Sequence, residues 1–180
     1  MPPIPIPVQV ALLVMVTTAA VYDFRFRRIP NWLVLAGLVA GFGLNSGLGR
    51  TAGLRLAAGG FGLAFGVYLL LYLIRAMGAG DVKLMGAVGS FVGAANWFPI
   101  FLLTAVLGGM SALILVLAAG RLRRTLWNVG YIVGELARFR APYMTREELD
   151  VKSAKAVTLP HGVVIALGTG VFLLLARVYG

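Results

Sequence analysis

Apolar residues run through this sequence in stretches too long for a soluble helix, and that limits the fold before any motif is considered. A helix that crosses a bilayer needs about 20 predominantly apolar residues, with a usual range of roughly 17–25. Six stretches meet or approach that length: Ile4–Tyr22, Trp32–Leu48, Leu54–Ile74, Val82–Ala95, Pro99–Ala119 and Leu159–Tyr179. The fourth is short, and Pro3, Pro5 and Pro7 shorten the first. Only 12% of the 180 residues are charged, against about 25% in a soluble domain. The expectation is a single all-α domain over residues 1–180, a polytopic membrane protein with six transmembrane helices. Met1–Val8 is proline-rich and lacks the basic n-region of a cleavable signal, so the first apolar segment is expected to be retained.

The net charge of +10 would suggest nucleic acid in a soluble protein. Here the basic residues cluster at the ends of apolar segments, where they set orientation and meet anionic lipid. Membrane lipid is therefore the expected partner, and nucleic acid is not. Arg25, Arg27 and Arg28 follow the first segment, and Arg75 and Lys83 flank the third and fourth. Arg121, Arg123, Arg124, Arg138, Arg140, Arg146, Lys152 and Lys155 fill the Gly120–Thr158 loop. Only Arg50, Arg55 and Arg177 fall on the other side, a split of thirteen to three. The positive-inside rule puts the three basic loops in the cytoplasm and both termini outside. In the loop, Leu126, Val129, Val133 and Leu136 recur at helical spacing, which predicts an amphipathic helix on the inner membrane surface. Glu135, Glu147, Glu148 and Asp150 also lie there and read as a solvated, partly self-paired surface.

The absence of cysteine excludes disulfides, thiol nucleophiles and cysteine metal sites. One histidine, His161, excludes a paired-histidine zinc motif. No metal and no cofactor are expected. Two carboxylates remain, Asp23 and Asp81, both at cytoplasmic ends of apolar segments. An ionisable group near hydrocarbon is costly and marks a functional site by default. Asp81 precedes a predicted helix, and a helix cap explains it as readily as function does. Asp23 follows a helix, where the dipole disfavours negative charge.

Length adds to this. With Trp97 marking the outer interface, the 14 residues of Val82–Ala95 rise about 21 Å, less than the roughly 30 Å of hydrocarbon. Asp81 then lies below the inner surface, and the glycines Gly78 and Gly80 before it are irregular backbone in a protein-walled or wet cavity. The short first segment sinks Asp23 in the same way. Two carboxylates in one low-dielectric cavity share a proton. The charged one removes a proton from water while the neutral one donates to a scissile carbonyl. Gly78 and Gly80, without Cβ atoms, leave space for a peptide backbone, although loop flexibility and tight helix packing account for them equally.

The blocks VYDFRFRRIPNW (Val21–Trp32) and GAGDVKLMG (Gly78–Gly86) resemble the paired motifs of the prepilin peptidases, intramembrane aspartyl proteases of the GxGD type. LPHGVVIALG (Leu159–Gly168), opening the last segment, adds to the likeness. The resemblance implies that Asp23 and Asp81 are the catalytic pair. It places Gly78 and Gly80 as the motif glycines and Lys83 as its usual lysine, with Pro30 and Asn31 starting the second span. It further implies cleavage of the short basic leader of a prepilin, next to that substrate's hydrophobic helix, at the cytoplasmic side of the bacterial inner membrane. Larger members carry a further domain with a four-cysteine zinc site that methylates the new N-terminus. This cysteine-free chain is similar instead to the short, peptidase-only type that serves Flp-like pili, or to archaeal preflagellin peptidases.

Other readings remain open at this stage. A small proton- or cation-coupled transporter would use Asp23 and Asp81 as ion ligands. A serine protease would pair Ser111 with His161, but Ser111 reads as mid-span and His161 as the cytoplasmic end of another span. An assembly scaffold leaves the aspartates without a role. Lys83 either snorkels to headgroups or supports the charge of Asp81.

Overall fold

The computed structural model describes residues 3–120 and 160–179, with positions 123, 125, 127, 130 and 134 between them. The described residues are helical, without a strand: α1 (Ile6–Phe26), α2 (Asn31–Leu73), α3 (Ala79–Ala118) and α4 (His161–Tyr179). Each of the four is long and apolar enough to cross a membrane. The surface helix expected within 120–158 lies outside the described residues.

The sequence predicts six separate spans, and the described residues form four helices. The difference is local. Between the second and third apolar segments the chain leaves helical geometry at one residue, Arg50 (φ 48°, ψ −128°). Near the end of the fourth it does so only at Gly93 (φ 75°, ψ 169°). Both long helices nevertheless turn back at these points. Gly41 lies against Ser90 and Phe91, while Gly60 lies against Gly89 and Gly93. A straight helix would hold residues 41 and 60 about 28 Å apart, so they reach one stretch of α3 only because α2 reverses at Arg50. Likewise, a straight α3 would carry Phe101 about 18 Å beyond Gly89. Ala64 lies against Gly89, yet Tyr68, one turn further along α2, meets the Phe101 ring edge-on at 6.1 Å.

The break at Gly93 has specific requirements. Its positive φ suits glycine, and an added Cβ would lie 2.7 Å from Leu56 Cγ. The break also takes i+4 amide donors from carbonyls in the turn before it. Asn45 supplies a replacement: its Nδ2 donates to Ser90 O (2.8 Å) and Phe91 O (3.0 Å), besides Gly41 O in its own helix (3.1 Å). Backbone freed at membrane depth is tolerated where a neighbour re-satisfies it in this way. Beside it, the Gly60 and Gly89 backbones approach too closely for either to carry a side chain, the small-residue contact typical of membrane helices.

The sequence suggests Trp97 only as a marker of the outer interface; in the structure it is also a packing residue, 1% exposed and stacked on Phe101 at 5.3 Å. The fourth segment ends where Gly93 turns the chain. The helix holding that segment also starts three residues before Val82, at Ala79. Beyond Gly93, α3 runs antiparallel to α4, with Thr104 against Gly168 and Gly108 against Val164.

Replacing Asn45 by Leu removes the donors at the Gly93 break. We expect a loss of about 1 kcal/mol, read as a lower unfolding midpoint in detergent. An unchanged midpoint would show that the break does not depend on this amide.

Candidate active site

Helix α1 continues past Tyr22 to Phe26, so Asp23 sits in its last turn, with 8% of its surface exposed. Arg27 closes the helix in the left-handed conformation (φ 53°), donating its N–H to the Asp23 carbonyl at 2.9 Å. The negative end of its own helix disfavours the Asp23 carboxylate. Compensation comes from α4, where the Gly162 N–H donates to Asp23 Oδ2 at 2.7 Å. Amides of a first helical turn have no partner within their helix, and this one finds its partner on another. A Cβ on Gly162 would lie 3.0 Å from Asp23 Cβ and Oδ2, so the approach depends on glycine. Arg27 lies within electrostatic reach of the same carboxylate.

Asp81 belongs to the first turn of α3. Gly78 is the N-cap in an extended conformation (φ −81°, ψ 152°), and its N–H donates to Asp81 Oδ2 at 3.1 Å. This is the returning half of a capping box: Asp81 is the N3 residue, inside the helix, and not the N-cap ahead of it that the sequence suggests. Capping engages Oδ2 and leaves Oδ1 for other work. The charge of Asp23 acts on Asp81, and Asp81 in turn acts on the phenol of Tyr68. Tyr68 is 1% exposed, and its ring centroid lies 6.2 Å from that of His161. His161 and Gly162 are the first two residues of α4. Four helices thus converge: α1 brings Asp23, α2 Tyr68, α3 Asp81, and α4 the His161–Gly162 pair.

The loops before α2 and α3 lock together. Pro30 (φ −66°, ψ 136°) caps α2 and Asn31 begins it. Gly80 faces Ile29, whose Cβ would lie 3.4 Å from an added Cβ. Lys83 Nζ donates to Asn31 Oδ1 at 3.1 Å. Through these contacts the segment after Asp23 is fixed to the turn that carries Asp81.

Two residues of this cluster, Tyr68 and Gly162, are not assigned roles by sequence reasoning. In YLLLYLIR nothing separates Tyr68 from other aromatics of an apolar span. Gly162 lies in the LPHG block, whose likeness to known motifs was its only signal. The Ser111–His161 pairing needs a correction. Their depths do not disagree, because the register of Gly108 with Val164 and Thr104 with Gly168 brings Ser111 level with His161. The chemistry is what is missing: the Ser111 hydroxyl donates to Leu107 O at 2.8 Å, and His161 Nε2 has no hydrogen-bond partner among the described residues. No group of three His, Cys, Asp or Glu able to hold a metal occurs among the described residues.

Asp23 and Asp81 lie within electrostatic reach of one another and each accepts one backbone N–H, from Gly162 and from Gly78, an arrangement with the makings of an acid–base pair. Neither the curated proteins nor the solved structures give a match to this chain. The model of the type IV leader peptidase family matches residues 10–113, a span that holds both aspartates and the Pro30–Asn31 and Gly78–Lys83 blocks and ends before α4. On that match, over more than half of its length, this multi-pass membrane chain belongs to the type IV leader peptidase family.

Proposed function

We propose that the chain is an aspartic endopeptidase that removes the leader of a type IV prepilin-like, Flp-type substrate at the cytoplasmic side of the bacterial inner membrane. The observation that carries this reading is that Asp23, held by the Gly162 N–H at the start of α4, lies within electrostatic reach of Asp81 on another helix. The ionised carboxylate takes a proton from water, which attacks the scissile carbonyl. The protonated one gives its proton to the carbonyl oxygen, and the pair then protonates the leaving amine. No metal or organic cofactor enters these steps.

Six crossings support the placement. The reversals at Arg50 and Gly93 let α2 and α3 each cross twice, with α1 and α4 crossing once. The Asp23 end of α1, the Asp81 end of α3 and the start of α4 then share one side, the side to which basic residues assign the cytoplasm. Gly78 and Gly80 leave the approach to Asp81 narrow enough for backbone and free of side chains. Lys83 and Asn31 act as positioning residues, holding the turn that carries Asp81 to the segment after Asp23.

The test is co-expression with a Flp-type prepilin and detection of leader removal by gel shift. Wild type is expected to cleave, while Asp23→Asn and Asp81→Asn accumulate normally and leave the substrate uncut. Near wild-type cleavage by either variant would exclude that residue from the chemistry. Gly162→Ala should move the Asp23 carboxylate without removing it. An added Cβ would lie 3.0 Å from Asp23, a contact relieved by a small shift of the carboxylate. A loss in kcat of about tenfold, below the roughly 100-fold of a ~1 Å misplacement, is therefore expected at normal accumulation. Unaltered turnover would mean that α4 does not position Asp23.

A further inference from the structure

A groove of about 570 Å³ opens between α1 and the start of α4, lined by Thr17, Ala20, Val21, Phe24, Arg25 and Val163. Thr17, Ala20, Val21 and Phe24 follow the i, i+3, i+4, i+7 spacing of one helix face, and the stripe rises about 10 Å along α1. Its walls are not covered by the described chain: Val21 is 58% and Phe24 74% exposed. Ala20 between them is small, which gives the groove its depth.

The groove adjoins the aspartate site at two points. Ala20 lies one turn before Asp23 on α1. Val163 follows Gly162, whose N–H holds the Asp23 carboxylate. We propose that this groove seats the apolar helix of the membrane-embedded substrate, so that the peptide just ahead of that helix is delivered to Asp23 and Asp81. The inference rests on the peptidase reading. A scissile bond that immediately precedes an apolar helix has to reach the carboxylates from within the bilayer, beside a surface that accepts a helix and leads to them. This groove accepts an apolar face along one helical stripe and runs past the turn of α1 that carries Asp23, with Val163 next to the Gly162 amide on its other wall. An acyl chain would fit the apolar walls as well, but it has no need of a path to a carboxylate.

The lack of cysteine in the natural sequence makes the test direct. Ala20→Cys and Val163→Cys are each placed in the full chain carrying Asp81→Asn, so that substrate stays uncut. Val39→Cys and Ile114→Cys serve as controls at apolar positions that are also exposed, 67% and 63% in the wild type. Each is co-expressed with a Flp-type prepilin bearing one cysteine in the first turns of its apolar helix, and disulfides are formed by oxidation in membranes. Disulfide yields at 20 and 163 several-fold above those at 39 and 114 are expected. In the otherwise wild-type chain, Ala20→Trp fills the groove and should raise KM by about tenfold, whereas Val39→Trp leaves it unchanged. Equal yields at all four positions overturn the proposal. So does cleavage that proceeds without groove disulfides and is indifferent to Ala20→Trp, which would assign the groove to lipid. A wild-type chain that leaves this prepilin intact overturns the peptidase reading itself, and the docking proposal with it.

Discussion

The bond from the Gly162 amide to the Asp23 carboxylate is the contact on which the arrangement of the bundle turns. A carboxylate in the last turn of a membrane helix stands at the end where the dipole repels it, and near hydrocarbon an unsupported charge costs several kcal/mol. Another helix supplies what α1 cannot. The first turn of α4 offers an amide that has no partner in its own helix, at the positive end of its own dipole. One contact therefore resolves two unsatisfied groups, joins the first helix to the last, and leaves the carboxylate beside that of Asp81. A side chain on Gly162 would crowd Asp23 at 3.0 Å, so glycine lets the two helices make this joint without displacing the carboxylate.

The same logic recurs wherever backbone departs from helix inside the apolar region. At Gly93 the freed carbonyls of Ser90 and Phe91 are met by Asn45. At the start of α3 the Gly78 amide is met by Asp81. Arg75, at φ 59°, ends the preceding helix with its N–H on Tyr72 O and the N–H of Ala76 on Leu71 O, the paired bonds of a Schellman closure. These fittings give the helical segments sharp ends and turns. Such ends bring side chains from four helices to one depth, which straight spans would not do.

Much of this is legible in the sequence because hydrocarbon permits little else. The six apolar runs fall on the helical segments to within a few residues, and in a chain with only 6 acidic residues Asp23 and Asp81 stand out. The linkage of segments into two long helices is not legible, since a reversal confined to Arg50 or Gly93 leaves no polar loop to read. The packing of Trp97 against Phe101 is not legible either, because an aromatic near a span end reads as an interface marker whether or not it also packs. Ser111 misleads: depth counted along one helix ignores the register of its neighbour. Gly162 and Tyr68 are invisible because their roles are relations across the bundle. The amide of Gly162 meets a residue 139 positions away, and no local pattern encodes that distance.

In the mechanism proposed above, Asp23 and Asp81 do complementary halves of one proton transfer, so neither should retain part of the activity without the other. Groups that act as a unit give strongly non-additive losses. The most direct measurement is the residual single-turnover rate of leader cleavage in Asp23→Asn, in Asp81→Asn and in the double variant. The account predicts a double variant no slower than the slower single one. Losses that multiply, with each aspartate contributing independently of the other, would contradict it.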